Sequence, residues 1–406
     1  MSNIFLLLGG NRLNYGILKK FKDKGYLVFV IDWNEHPQMT GDKHYRLDVK
    51  DADAIIHSLQ QDGYWEQVAF AYSSIDLAVP SVAKINKAIG LRTISDDGLR
   101  YSSSKSMMAS KWQESGLLNR ISKKYMQMQS EIIDFNKSYK MIIKPDNSAS
   151  SRGITILEKN SPDELVWEAF EKAQNEASNN IVVVEEFVEG TEFTVEMIGD
   201  DYGNVCVYGM SRKTHTKNTV NNKIAVKLHY NAVPDDLQRK IADVAIKCYK
   251  ALGFSASLGH LEIILKEDGT LSPVEIGARS SGFIASDLVD IVSGSDFLAD
   301  LIKVQNGMPV MNGLHPQTEK SSLYFFYDFP AGSIIKKPFN FTDFLESSII
   351  SRYSNRSNLV EGRCFDNIDN DNARVGFEIL EGRKSMMTID YIKRQEQQML
   401  REILEK

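Results

Sequence analysis

The residues best equipped for chemistry in this 406-residue chain are two glutamates and an arginine in His260-Leu-Glu262 and Val274-Glu275-Ile-Gly-Ala-Arg279. Lys266-Glu-Asp-Gly269 lies between them. Asp-Gly between two apolar runs is a strong hairpin signal, so Glu262 and Glu275 are expected on adjacent strands. Both have apolar neighbours, which places the carboxylates in a partly buried sheet. Two such charges repel unless something positive joins them. Magnesium answers this economically, because it favours hard oxygen ligands and shares them with phosphates. Arg279 then offers a fixed cation to a phosphate or carboxylate. The plainer alternative is two solvent-facing strand glutamates and a surface arginine. Gly277 and the Ser280-Ser281-Gly282 loop make the surroundings open and backbone-rich, which favours a site.

Two further segments add parts. Lys144 ends the apolar run Tyr139–Lys144 and precedes Ser148-Ala-Ser-Ser-Arg152-Gly153. Small residues let backbone N–H groups approach a phosphate closely. The Walker pattern is absent, and alone this segment reads equally as a plain polar loop. In Val182-Val-Val-Glu185-Glu186-Phe187-Val188-Glu-Gly190-Thr191-Glu192, an apolar strand enters an exposed linker. Such a linker can present main-chain groups to an adenine edge, with Glu192 accepting from ribose hydroxyls. Its bland reading is an acidic strand and turn.

The elements that must position these groups follow from hydrophobic patterning. Ile4–Leu8, Leu27–Ile31 and Val68–Tyr72 are strand-like runs, and helices are expected near 13–24, around Ile55-Ile56-Leu59, and over 79–89. Such alternation predicts a parallel sheet covered by helices. Gly9-Gly10 after the first strand and Asp32 after the second suggest a dinucleotide site, but the G-x-G-x-x-G fingerprint is missing. A Rossmann-like scaffold whose sheet edge lines another site is expected instead. A helix over Met107–Glu114 is expected to end at Gly116, and another is expected over Pro162–Ala177 with Ser161 as N-cap. Further strands are expected at 154–157, 193–198, 205–208, 260–265, 271–276, 323–327 and 374–380. A helix is expected over 236–252, and a charged one from Tyr391.

Composition sets bounds on function. The chain is 42% hydrophobic and 25% charged, which suits a soluble globular protein and excludes a disordered or fibrous one. Its net charge of −6 and the absence of a long basic run argue against nucleic-acid binding. Cys206, Cys248 and Cys364 are far apart, so buried structural thiols in a reducing compartment are expected rather than disulfides or zinc. Ile4–Leu8 is too short and lacks the basic flank of a signal peptide, and no run approaches a membrane span of about 18 apolar residues. A cytoplasmic location, with no membrane partner, is expected.

Taken in order, the segments from about Ser104 to Gly307 resemble the ATP-grasp superfamily. With both flanks included, the chain resembles the carboxylate–amine ligase branch, nearest the L-amino-acid ligase and carnosine-synthase group, which share H-x-E, an acidic hairpin turn and E-x-x-x-R. The resemblance implies an α/β and α+β multidomain chain. Its parts are a Rossmann-like domain over 1–101, an ATP-grasp small lobe with phosphate lid over 102–184, a large lobe over 185–311, and a C-terminal α+β domain over 312–406. It implies nucleotide lysines at Lys105 and Lys144, with Lys144 also catalytic, and a lid at Ser148, Ser150, Ser151 and Gly153. Glu185 is expected to face the adenine amino group. Glu186 and Val188, flanking Phe187, are expected to offer main-chain groups to adenine, and Glu192 to bind ribose. Glu262 and Glu275 become magnesium ligands, and Arg279 the catalytic holder of the transferring phosphate.

The resemblance further implies ATP with two Mg2+ ions, for which Mn2+ can substitute, small-molecule acid and amine substrates, and a homodimer. Many members carry Asn where Gly277 stands; the amino-acid ligase branch carries a small residue there. The implied reaction activates a carboxylate as an acyl-phosphate, which an amine then captures as an amide. Two rivals are a bicarbonate-activating enzyme like biotin carboxylase or carbamoyl-phosphate synthase, and a nucleotide-binding module without turnover. Arg212, Lys213, His215 and Lys217 can contact phosphate or an acidic substrate, or form a solvated hairpin. His260 is expected as a packed strand histidine.

Overall fold

A computed structural model describes residues 3–11, 14–148, 151–219, 223–281, 285–370 and 373–405. The N-terminal sheet is parallel, with strands in the order Lys43–Arg46, Leu27–Asp32, Ile4–Leu8, Val68–Tyr72. Its central strand, Ile4–Leu8, is buried throughout, and period-two alternation divides its side chains between two cores. Ile4, Leu6 and Leu8 pack with Ile55, Leu59 and Ile85 from the helices Ala52–Gln61 and Val79–Ala88. Phe5 and Leu7 pack with Phe21 of the helix Tyr15–Asp23, and with Leu288 and Phe297 of two later helices. Asp32 is buried and turned inward, its carboxylate accepting from Gly10 N at 2.7 Å and Asn34 N at 2.8 Å. It braces the first turn, which accords with the absence of a dinucleotide fingerprint.

The small lobe is a four-stranded antiparallel sheet in the order Ser122–Tyr125, Val182–Glu186, Met141–Pro145, Thr155–Leu157. The helices Ser130–Ser138 and Asp163–Glu176 supply Ile132, Phe135 and Phe170 to a separate core. The second of these helices is capped differently from expectation. Pro162 is the N-cap residue, while the Ser161 hydroxyl donates to Glu158 O at 2.8 Å. Acidic Asp163 and Glu164 complement the first turn.

The large sheet runs Leu271–Gly277, Ser257–Leu265, Thr191–Gly199, Val205–His215, Ala225–Tyr230, Lys320–Tyr327, Val375–Arg383, Ile350–Asn355. Its last three strands come from the block beyond residue 312. Lys320–Tyr327 pairs onto Ala225–Tyr230 and the other two follow it, so this block continues the sheet that carries Glu262 and Glu275. An open edge at 225–230 would need a ladder partner in any case. The charged tail is the helix Ile389–Ile403, which buries Ile392, Met399 and Ile403. The hairpin formed as its turn signal implies. Lys266 N bonds Thr270 O, Asp268 accepts from Thr270 N, and Gly269 has φ +78°.

One glycine fixes the passage from small lobe to large sheet. Gly190 has φ +155°, and a Cβ there would lie 2.2 Å from Leu265 O. Gly190→Ala should therefore destabilise the protein by about 1–3 kcal/mol through overpacking and backbone strain. Gly203→Ala, also at positive φ but in open space, should cost less. Urea midpoints of the two variants test this; equal shifts would refute it.

Candidate active site

All three sheets border one cavity of about 560 Å³. Of the expected residues, Lys105, Lys144, Ser148, Ser151, Phe187, Val188, Glu192, Glu262, Glu275 and Arg279 line it. Ser150 lies outside the described residues, as does Gly282. Gly153 does not line the cavity: it is buried at φ +72° against Glu176 and Pro145. Glu186 N donates to Ile121 O at 3.0 Å, so that N–H is taken up within the small lobe.

Glu262 and Glu275 stand directly opposite each other in the strand register, and both face the cavity. Each is held by a lysine from another element. Lys213 Nζ lies 2.8 Å from Glu262, and Lys105 Nζ lies 3.3 Å from Glu275. Lys105 opens the helix Lys105–Glu114, whose N-cap Ser104 accepts from Met107 N. It also donates to Ser148 O at 2.9 Å, which ties Ser148 to the hairpin through Glu275. The two carboxylates are hard oxygen donors in a cation-attracting position, so they fit magnesium. Among the described residues no third His, Cys, Asp or Glu joins them in a metal-holding group. Phosphate oxygens and water would have to complete the ion's shell.

Lys213 contradicts the solvated-hairpin alternative. It is buried on the strand Val205–His215 and bridges Glu262 and Glu192, the latter at 2.5 Å. His215 Nε2 meets the other Glu192 oxygen at 2.9 Å. Burial works against the Glu192 charge, but Lys213 and then His215 outweigh it and hold the carboxyl well below the ordinary range. Alternation on the strand places Lys213 and His215 on one face, a signal that spacing alone could have given.

Glu185 occupies a different place from that expected. It does not line the cavity, and its carboxylate is enclosed by Lys144 at 2.8 Å, Arg120 at 3.1 Å and Ser122 at 2.9 Å. Burial raises its pKa, yet Arg120 and then Lys144 overcome this and hold it near 2. Glu185 therefore fixes the Lys144 ammonium rather than presenting its side chain to a base. Arg120, which sequence reasoning missed, also donates to Ser272 Oγ and Pro273 O on the hairpin. His260 lines the cavity, while its Nδ1 donates to buried Glu196 at 2.6 Å. Burial favours the neutral ring, but Glu196 prevails and lifts the pKa to about 9. Arg279 is gripped by Asp76, a residue of the N-terminal lobe.

Two sheets thus enclose lysines, opposed glutamates and an arginine in one cavity. Residues 137–287 match the ATP-grasp domain family. A D-alanine–D-alanine ligase from Buchnera aphidicola subsp. Schizaphis graminum is 27% identical over 215 residues. That match spans 48% of this chain and 62% of the relative, less than two thirds of its length. The L-amino acid ligase structure from Bacillus licheniformis shares the fold with TM-score 0.76 at 16% identity, across 99% of this chain and 98% of that one. The biotin carboxylase domain of Hydrogenobacter thermophilus 2-oxoglutarate carboxylase, in complex with MgADP and bicarbonate, gives TM-score 0.68 at 16% identity, covering 94% and 86%. No described helix is long and apolar enough to cross a membrane.

The Glu185 cluster carries a testable consequence. Because its folded pKa is depressed, Glu185 contributes stability above its unfolded value of about 4.3, and loses it as pH falls toward 2. Arg120→Met should cost about 3–5 kcal/mol at neutral pH, because it leaves a buried charge short of its partner. It should also flatten the acid-side decline. Urea titrations at pH 7 and pH 3 measure both effects; an unchanged midpoint at pH 7 would count against the cluster.

Proposed function

We propose that this protein is an ATP- and Mg2+-dependent carboxylate–amine ligase, forming an amide through an acyl-phosphate and releasing ADP and phosphate. The observation that carries the reading is the opposition of Glu262 and Glu275 in one cavity with Lys105, Lys144 and Arg279. Phe187 and Val188 border the base end, and Glu192 the ribose. Lys144, pinned by Glu185, and Lys105, pinned by Ser148 O, face the phosphates as fixed charges. Glu262 and Glu275 hold one or two Mg2+ ions, or Mn2+ in their place, and the metal neutralises phosphate charge when bound. Arg279 receives the γ-phosphate as it passes to the substrate carboxylate. Catalysis is then positioning and charge neutralisation, with no side chain serving as covalent nucleophile.

The organic substrates need room beyond the phosphates. The cavity continues along the large sheet over Leu228, Phe326 and Phe377, with Arg374 stacked 4.4 Å from the Phe326 ring centroid. An aromatic floor suits an organic acid or amine. Bicarbonate would leave that floor unused, which ranks bicarbonate activation below amide formation. A binding module without turnover is disfavoured by the intact set of Glu262, Glu275 and Arg279.

Phosphate release from MgATP, assayed against paired carboxylic acids and amines with amino acids and bicarbonate included, tests the reading. Release should require both an acid and an amine; release with bicarbonate alone would favour the carboxylase-like chemistry. Glu275→Ala and Arg279→Ala should each abolish turnover while the folded circular dichroism signal persists. Near-normal turnover in either variant would sink the site assignment.

A further inference from the structure

Arg279 does not enter the cavity unsupported. Its Nε donates to Asp76 Oδ1 at 2.7 Å and its Nη2 to Asp76 Oδ2 at 2.6 Å, a bidentate pair. Asp76 belongs to the N-terminal lobe, four residues beyond the strand Val68–Tyr72 and 203 positions from its partner. In the parallel sheet the chain leaves Ile4–Leu8 toward one neighbour and later returns on its other side as Val68–Tyr72. The crevice outside such a switch point is where open α/β sheets bind ligands. Here the two loops at that point bring Asn11, Ser74 and Asp76 to the cavity.

The same loop of the large lobe is held at two more points. The Tyr72 hydroxyl bonds Ser280 Oγ, and Ser281 N donates to Glu196 at 3.3 Å. Arg279 Nη1 is turned back onto Ser280 O at 2.9 Å. Gly277 completes the arrangement: a Cβ there would lie 3.1 Å from Asp76 Oδ1. A larger residue at 277 would contest the space the Asp76 carboxylate needs.

We propose that Asp76 is the positioning residue for Arg279, reaching it across the lobe boundary through the clearance that Gly277 provides. Asp76 touches no reacting atom; it sets the plane and reach of the guanidinium. This rests on the ATP-site reading above, in which Arg279 meets the γ-phosphate. A residue that acts only through Arg279 affects a triphosphate and spares a diphosphate.

Isothermal titration with Mg-ADP and with the Mg2+ complex of a non-hydrolysable β,γ-imido ATP tests this without any knowledge of the organic substrates. The wild-type chain should bind the triphosphate more tightly. Asp76→Asn should reduce that preference about tenfold, on the scale of one charge-assisted contact, and keep ADP affinity within about twofold. Arg279→Ala should lose the preference, and Asp76→Asn should add nothing to it. Gly277→Ala, which removes no charge, should reproduce the Asp76→Asn pattern by displacing the carboxylate. An unchanged preference in Asp76→Asn, an additive double variant, or a wild type that does not discriminate would overturn the proposal. Failure of the wild type to bind either nucleotide would instead overturn the ATP-site reading, and this inference with it.

Discussion

The buried contact of Glu185 with Arg120 and Lys144 is the constraint on which the rest of the site depends. Glu185 sits on a small-lobe strand, Lys144 on its neighbour, and Arg120 just before the edge strand of the same sheet. Arg120 also reaches Ser272 and Pro273, on the strand that carries Glu275. A single guanidinium thus fixes Lys144, through Glu185, relative to the strand that carries Glu275. Burying such charges is costly, and the cost is offset only where every partner is in place. The cluster therefore favours one geometry over near alternatives. Lys213 repeats the principle deeper in the cavity, where it holds Glu192 and Glu262 together.

Much of this was legible in the sequence because its signals are local. The Asp268-Gly269 turn set the register that opposes Glu262 to Glu275, and strand periodicity put both on one face. The continuous apolar runs at 4–8, 27–31 and 68–72 gave the parallel sheet for the same reason: strands buried on both faces cannot alternate. The misses share a different cause. Arg120 meets Glu185 from 65 positions away, Lys213 meets Glu262 from 49, and Asp76 meets Arg279 from 203. Spacing along one strand carries no information about such partners. Glu185 was misplaced for that reason, since its neighbours in sequence suggested an exposed linker while its partners in space enclose it.

The block beyond residue 312 was hard to read because its strands complete a sheet begun elsewhere. Lys320–Tyr327 is buried at all but its first residue, so it lacks the alternation that marks a half-exposed strand. Val375–Arg383 pairs with it and places Phe377 beside the cavity. The wall that would face the organic substrates is thus built mainly by the last strands to be added. Glu262 and Glu275 lie at the opposite end of the sheet, on strands 257–265 and 271–277.

The distribution of cores divides the chain into packed bodies. The N-terminal sheet and the large sheet share one continuous core, in which Phe5 and Leu7 pack with Leu288, Phe297 and Ile198. Those two lobes therefore share one packed interior. The small lobe keeps its apolar residues to itself, around Ile132, Phe135 and Phe170. Its ties to the large sheet are the chain through 187–190 and polar contacts such as that of Arg120 with Ser272 and Pro273. Lys144 belongs to the small-lobe sheet, while Glu262 and Glu275 belong to the large one.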